Sequence, residues 1–150
     1  MAKKPAVGEP APDFELEGTE GPFRLSDQRG RRVVLLFYPG DESPVCTKQF
    51  CSYRDRNLDE ETLGARVVGI SSQSLESHAK FTAHHRLNVP LLADPGATVA
   101  KLYSARAPVV GTRRAVVIVD EEGVVRYRHD HRLGLDFQDV DQLQDALATF

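Results

Sequence analysis

The run RRVVLLFYPGDESPVCTKQFC, residues 31–51, limits the possible folds more than any other stretch of the chain. Its five consecutive apolar residues, Val33–Phe37, lack the alternation of a half-exposed strand. They predict a strand buried on both faces and stopped at Pro39. Ser43 is a good N-cap and Pro44 suits the first helical position, so a helix is expected over SPVCTKQFCSYRDRNLDEETL, residues 43–63. ARVVGISS then reads as a second buried strand. A buried strand, a helix and another buried strand imply a parallel βαβ unit.

The rest of the chain extends that unit. FELEG and FRLSD alternate enough for two short strands ahead of it. SLESHAKFTAHHRLN reads as a helix with Leu75, Ala79 and Ala83 on one face. VPLLAD is a short strand and PGATVAKLY a short helix. RRAVVIVD and GVVRYRH flank DEEG and predict a hairpin that adds antiparallel strands. FQDVDQLQDALATF closes the chain as an amphipathic helix carrying Phe137, Val140, Leu143, Leu147 and Phe150. The expected fold is α/β, a central mixed sheet flanked by helices as in the thioredoxin fold. The 150 residues predict one domain over 1–150, without repeats or an interdomain linker.

The formal net charge is −3, and acidic residues surround the short basic runs Arg29–Arg32 and Arg113–Arg114. That pattern argues against a nucleic-acid partner, which needs a clustered basic surface. The N-terminal MAKKPAVGEPAPDF has no apolar core of a secretory signal, and VVLLFY is too short to span a bilayer. The expectation is therefore a cytoplasmic protein without a membrane partner. In a reducing compartment, two cysteines are more readily reactive thiols than a permanent staple.

Those two cysteines, Cys46 and Cys51, stand five residues apart. With Ser43 as N-cap, Cys46 falls at the third helical position, among backbone N–H groups that carry partial positive charge. Such a place favours thiolate over thiol. A helix terminus supplies only about 0.3–1 kcal/mol at an exposed site, while each unit of pKa depression needs about 1.4 kcal/mol. A cation near the sulfur is therefore expected as well. On an intact helix, residues five apart have Cα atoms about 8–9 Å from each other, beyond the roughly 7 Å limit of a disulfide. The pair can bond only if the first turns unwind, which gives up hydrogen bonds worth about 1 kcal/mol net each. Taken alone, the two cysteines read more readily as small core residues.

The surrounding residues decide between these readings. YPGDESPVCTKQFCSYRD resembles the peroxiredoxins, and within them the bacterioferritin comigratory protein or peroxiredoxin Q group, whose pattern is Y-P-x-D-x-T-P-x-C-T-x-E-x-C-x-F-R-D. The likeness continues through VGEPAPDFEL, RVVGISSQSLESHAKF, LNVPLLADPGATVAKLY and GTRRAVVIVDEEGVVRY, in order and over almost the entire chain. The resemblance implies that Cys46 attacks a peroxide and that Cys51 resolves the resulting sulfenic acid as an intramolecular disulfide. It implies that Pro39 shields the site and that Arg114, six residues before Asp120, supports the thiolate and orients the peroxide. Arg113 lies on the opposite side of the strand, so the choice between the two arginines rests on register. Thioredoxin or a similar dithiol would reduce the disulfide. No metal, flavin, haem or other cofactor is implied, and a monomer is preferred because both cysteines lie in one chain. Several positions depart from the family: Ser43 stands for threonine, Gln49 where glutamate is common, Val45 where glycine is common, and RRAVV replaces a more usual arginine-small-threonine-phenylalanine run. Ser43 keeps a hydroxyl able to cap the helix and to hydrogen-bond a thiolate or peroxide.

Other candidates carry less. His84 and His85 are adjacent on a helix and so diverge by about 100°, which is poor for one metal ion. His129 and His131 share a strand face without an evident third ligand, and all four read as solvated surface. Tyr38 reads equally as pocket or core, Asp94 as a turn or cap residue, and Glu121 and Glu122 as a hairpin turn. No glycine-rich phosphate loop is present. Two rival functions remain open at this level. A thioredoxin-like disulfide reductase would want C-x-x-C, and typically a proline where Thr112-Arg113 stands. A non-catalytic peroxide sensor or holdase would react once and relay.

Overall fold

The computed structural model describes residues 5–56, 58, 60–107, 111–131 and 137–150. Its strands are β1 (Glu15–Gly18), β2 (Phe23–Arg24), β3 (Val33–Phe37), β4 (Arg66–Ser71), β5 (Leu91–Ala93), β6 (Arg106–Ala107), β7 (Gly111–Thr112), β8 (Ala115–Val119) and β9 (Val125–Asp130). Its helices are α1 (Pro44–Asp55), α2 (Glu60–Leu63), α3 (Leu75–His85), α4 (Thr98–Leu102) and α5 (Val140–Leu147). Seven strands form one sheet in the order β2-β1-β5-β4-β3-β8-β9, while β6 and β7 pair separately. β3 is parallel to β4 and β4 to β5, as the βαβ reading requires. β8 joins β3 antiparallel and β9 joins β8, so the hairpin completes a mixed sheet.

All five residues of β3 are buried, because the sheet has a core on each face. Val34 and Leu36 enter a core closed by Phe50 and Tyr53 of α1, Phe81 of α3 and Leu143 of α5. Val33, Leu35 and Phe37 enter the opposite core with Val99 and Ala100 of α4 and Phe14 of the lead-in. Burying each large apolar side chain contributes about 1.5–3 kcal/mol. A central strand with apolar residues on both faces is therefore what two cores demand, and it carries the chain to the residues before α1.

Four local expectations change. The single helix over 43–63 is interrupted: the Leu58 N–H bonds the Tyr53 carbonyl at 2.9 Å across five residues, which closes α1 and buries Leu58. α3 turns His78 and Phe81 inward, not the stripe Leu75, Ala79 and Ala83, which is exposed. A small-residue stripe buries less area than one aromatic ring, so Phe81 sets the helix's orientation. The second half of FRLSD is a helical turn, Leu25–Gln28, not strand. The last helix begins only at Val140, after a capping box between Asp139 and Gln142, and leaves Phe137 and Phe150 packing against the core from outside it. Among the described residues, no helix is long and apolar enough to cross a membrane.

Candidate active site

β3 delivers the chain to the site. The Tyr38 N–H still bonds the Ile70 carbonyl, at 3.1 Å, and Pro39 then ends the pairing because it has no N–H. The loop that follows is pinned by Gln73, whose amide donates to the Pro39 carbonyl at 3.3 Å and accepts the Asp41 N–H at 3.1 Å. The Asp41 carboxylate accepts the Tyr38 hydroxyl at 2.7 Å and the Ser77 hydroxyl at 2.7 Å. Nδ1 of the fully buried His78 also meets it, at 2.7 Å, while His78 Nε2 faces the Leu92 carbonyl at 3.0 Å. Burial works against the charged Asp41, but the bonds from His78, Ser77 and Tyr38 outweigh it and hold the carboxyl below its usual range. Burial, and then the Asp41 charge, push the Tyr38 hydroxyl well above its ordinary value. Tyr38 is thus a core and loop-anchoring residue, with its ring edge-on to Phe50 at 4.8 Å.

α1 begins at Pro44 after Ser43 in extended conformation, so Cys46 occupies the third helical position. One part of that expectation is corrected. Ser43 makes no side-chain cap; its hydroxyl donates instead to the Gly40 carbonyl at 3.0 Å. The N–H groups of the first turn are therefore left uncapped by that side chain, open to a charged sulfur or an oxygen ligand.

The cation is Arg114. Its Nη2 donates to Cys46 Sγ at 3.0 Å, and its Nη1 donates to Gln49 Oε1. Arg114 is 2% exposed and Cys46 has no exposed surface. The two arginines part here: Arg114, immediately before β8, whose Ala115 pairs with Phe37, reaches the sulfur, whereas Arg113 turns away to Asp130, at 3.0 Å. Gln49 is buried and passes on to Tyr53, its Nε2 donating to the phenol oxygen at 2.9 Å. Because Gln49 is neutral, it holds the guanidinium without offsetting its charge. Arg114 Nε has no hydrogen-bond partner among the described residues, which leaves a buried donor beside the sulfur.

Both cysteines are free thiols; Cys46 is buried and Cys51 half-buried against the same core. The complete burial of Cys46 exceeds what a position in an exposed first turn implies, so any oxidant must reach it through movement of the loop or of the first turn. Pro39 is half-buried at the head of that loop. The sequence reading passed over Asp41 and His78. Asp41 stands in the quoted Y-P-x-D run, and His78 lies three residues before Phe81, on the stripe that turned out to face inward. Asp94 caps α4, with its carboxylate on the Val99 and Ala100 N–H groups at 3.0 and 2.9 Å. His131 is buried, not solvated, and His84 and His85 converge on Glu42, where divergence was expected.

A thioredoxin-like sheet thus sets a buried, arginine-bonded cysteine in the first turn of the helix after its central strand. The chain belongs to the AhpC/TSA family, whose model matches residues 7–128. It is 39% identical over 132 residues to peroxiredoxin Q, chloroplastic, of Oryza sativa, covering 86% of this chain and 61% of the rice protein's length. It is 35% identical over 125 residues to peroxiredoxin Bcp of Bacillus subtilis, covering 78% of this chain and 80% of that one. Among solved structures, the peroxidoxin BcpB of Mycobacterium tuberculosis superposes with a TM-score of 0.84 at 30% identity, covering 97% of this chain and 98% of that one.

Proposed function

We propose that the chain is a thiol-dependent peroxidase acting on hydrogen peroxide and organic hydroperoxides, with Cys46 as the attacking sulfur and Cys51 as the resolving one. The observation that carries the reading is the 3.0 Å contact between Arg114 and the Cys46 sulfur inside a water-excluded first turn. Charge attraction is stronger there than in water, which favours the thiolate that acts as nucleophile. The thiolate attacks one peroxide oxygen, the O–O bond breaks, and the other oxygen leaves as alkoxide or hydroxide and takes up a proton. Cys46 becomes a sulfenic acid. Cys51 sulfur then displaces its hydroxyl as water and forms the disulfide. A dithiol donor of the thioredoxin type, itself oxidised, returns both thiols by exchange. Arg114 Nε and the uncapped N–H groups of the first turn supply donors for the peroxide oxygens, Ser43 and Pro39 shape the loop beside them, and no cofactor takes part. We read the protein as a cytoplasmic monomer of one domain.

The test is peroxide consumption by the reduced protein with excess dithiothreitol. Many peroxides consumed per protein molecule, abolished by Cys46→Ser, support a peroxidase. A single equivalent consumed, however long the incubation, would replace it with the sensor reading.

A further inference from the structure

Outside the surroundings of Cys46, the described residues bring together one trio able to ligate a metal: Glu42, His84 and His85, whose ligand atoms all lie within 4.8 Å of one another. The two imidazoles do not diverge as ideal helix geometry implies. They stand in the last turn of α3 with ring centroids 4.1 Å apart. Both reach one carboxylate: His84 Nδ1 lies 2.9 Å from Glu42 Oε2, and His85 Nε2 lies 2.7 Å from Glu42 Oε1. Glu42 is held there in the left-handed region, at φ 61°, which costs a residue with a Cβ of order 1 kcal/mol and persists only where the surroundings impose it. The side chains are 45%, 67% and 19% exposed for Glu42, His84 and His85, so the trio has one wall of protein and one side open to water.

Two imidazoles and a carboxylate are a donor set for zinc and neighbouring first-row divalent ions, with further positions left to water. Zinc bonds of about 2.0–2.1 Å in tetrahedral geometry place donors about 3.4 Å apart. The two imidazole–carboxylate distances, 2.9 and 2.7 Å, open to that value by about 0.5–0.7 Å, a side-chain adjustment. We propose that Glu42, His84 and His85 form a divalent transition-metal site of the zinc class, which holds the loop before Cys46 closed and so opposes the Cys46–Cys51 disulfide. Glu42 immediately precedes Ser43 and the start of α1. On the far side of both cysteines, Arg54 donates to the His85 carbonyl at 2.6 Å. The last turn of α3 therefore grips both flanks of the segment that must unwind for Cys46 to meet Cys51. A metal bound there stabilises the wound form, and by linkage the disulfide form binds the metal more weakly. The coupling to disulfide formation rests on the peroxidase reading; the metal site does not.

The experiment is calorimetric titration of the reduced full chain with zinc chloride in a non-chelating buffer. It is repeated on His84→Ala, on Glu42→Gln, on the peroxide-oxidised protein, and on Cys46→Ser/Cys51→Ser. One equivalent should bind to the wild type and to the cysteine-free variant, with affinity falling about tenfold or more in His84→Ala and Glu42→Gln. Zinc that binds equally well to His84→Ala, or that is lost only with the cysteines, overturns the site. The oxidised protein should bind zinc at least about fivefold more weakly, and zinc should slow disulfide formation. Equal affinity in both redox forms overturns the coupling. Ligand-dependent zinc binding in a protein that peroxide never oxidises would leave the site standing and remove the peroxidase reading instead. His84 is exposed, so its variant keeps the fold, which a thermal melt checks.

Discussion

Replacing Arg114 with glutamine tests the electrostatics of the site. The Arg114 charge centre lies about 4 Å from the sulfur it bonds at 3.0 Å. At the effective dielectric of about 20 that suits protein interiors, a unit pair at this distance attracts by about 4 kcal/mol. Glutamine removes that attraction but returns one neutral donor, worth about 1 kcal/mol. The net loss of about 3 kcal/mol corresponds to about two orders of magnitude in reaction with peroxide at neutral pH. The assay is stopped-flow mixing of reduced protein with hydrogen peroxide, quenched with an alkylating agent and read by intact mass. A thermal melt that matches wild type separates this loss from a variant that has merely unfolded. A rate within about threefold of wild type at neutral pH would refute the reasoning, since a 3 kcal/mol loss cannot hide in so small a change.

Asp41→Asn should destabilise the protein by about 2–4 kcal/mol, because the amide turns a donor toward the Tyr38 and Ser77 hydroxyls, which donate to a buried carboxylate. For a chain of this size that is a fall of about 5–12 °C in melting temperature. The Asp41 carboxyl is held below its usual value, so its contribution is present above about pH 4 and lost as pH falls through the lowered value; the variant should show a flatter acid limb in pH-dependent melts. Gly69→Ala adds a Cβ that would stand 2.8 Å from Leu91 and 3.0 Å from Phe50 of α1. The strain should cost about 1–3 kcal/mol by urea unfolding. Because Phe50 and Cys46 share a helix, the same variant should also expose Cys46 to alkylation faster than wild type.

The parts of the site legible in the sequence were those fixed by local chemistry. An uninterrupted apolar pentapeptide places β3, and Ser43-Pro44 places Cys46 at the third position of α1. The weakness of a helix terminus alone called for a cation, and Arg114 is there. What local chemistry could not give depends on distant partners. Ser43 has the residue type of a cap, yet its hydroxyl finds the Gly40 carbonyl first. α3 carries two possible inward stripes, and only packing of Phe81 against Phe50 selects the one that buries His78. The convergence of His84 and His85 needs Glu42, which is more than 40 residues away in sequence. The complete burial of Cys46 follows from the packing of α1 against the sheet and has no counterpart in its own neighbourhood.

The most direct test of the account adds one equivalent of hydrogen peroxide to the reduced protein and to Cys51→Ser, then measures intact mass and free thiols. The account predicts loss of two hydrogens and of both thiols in the wild type, with one added oxygen trapped on Cys46 in the variant. Two unreacted thiols in the wild type after minutes at micromolar peroxide would contradict it.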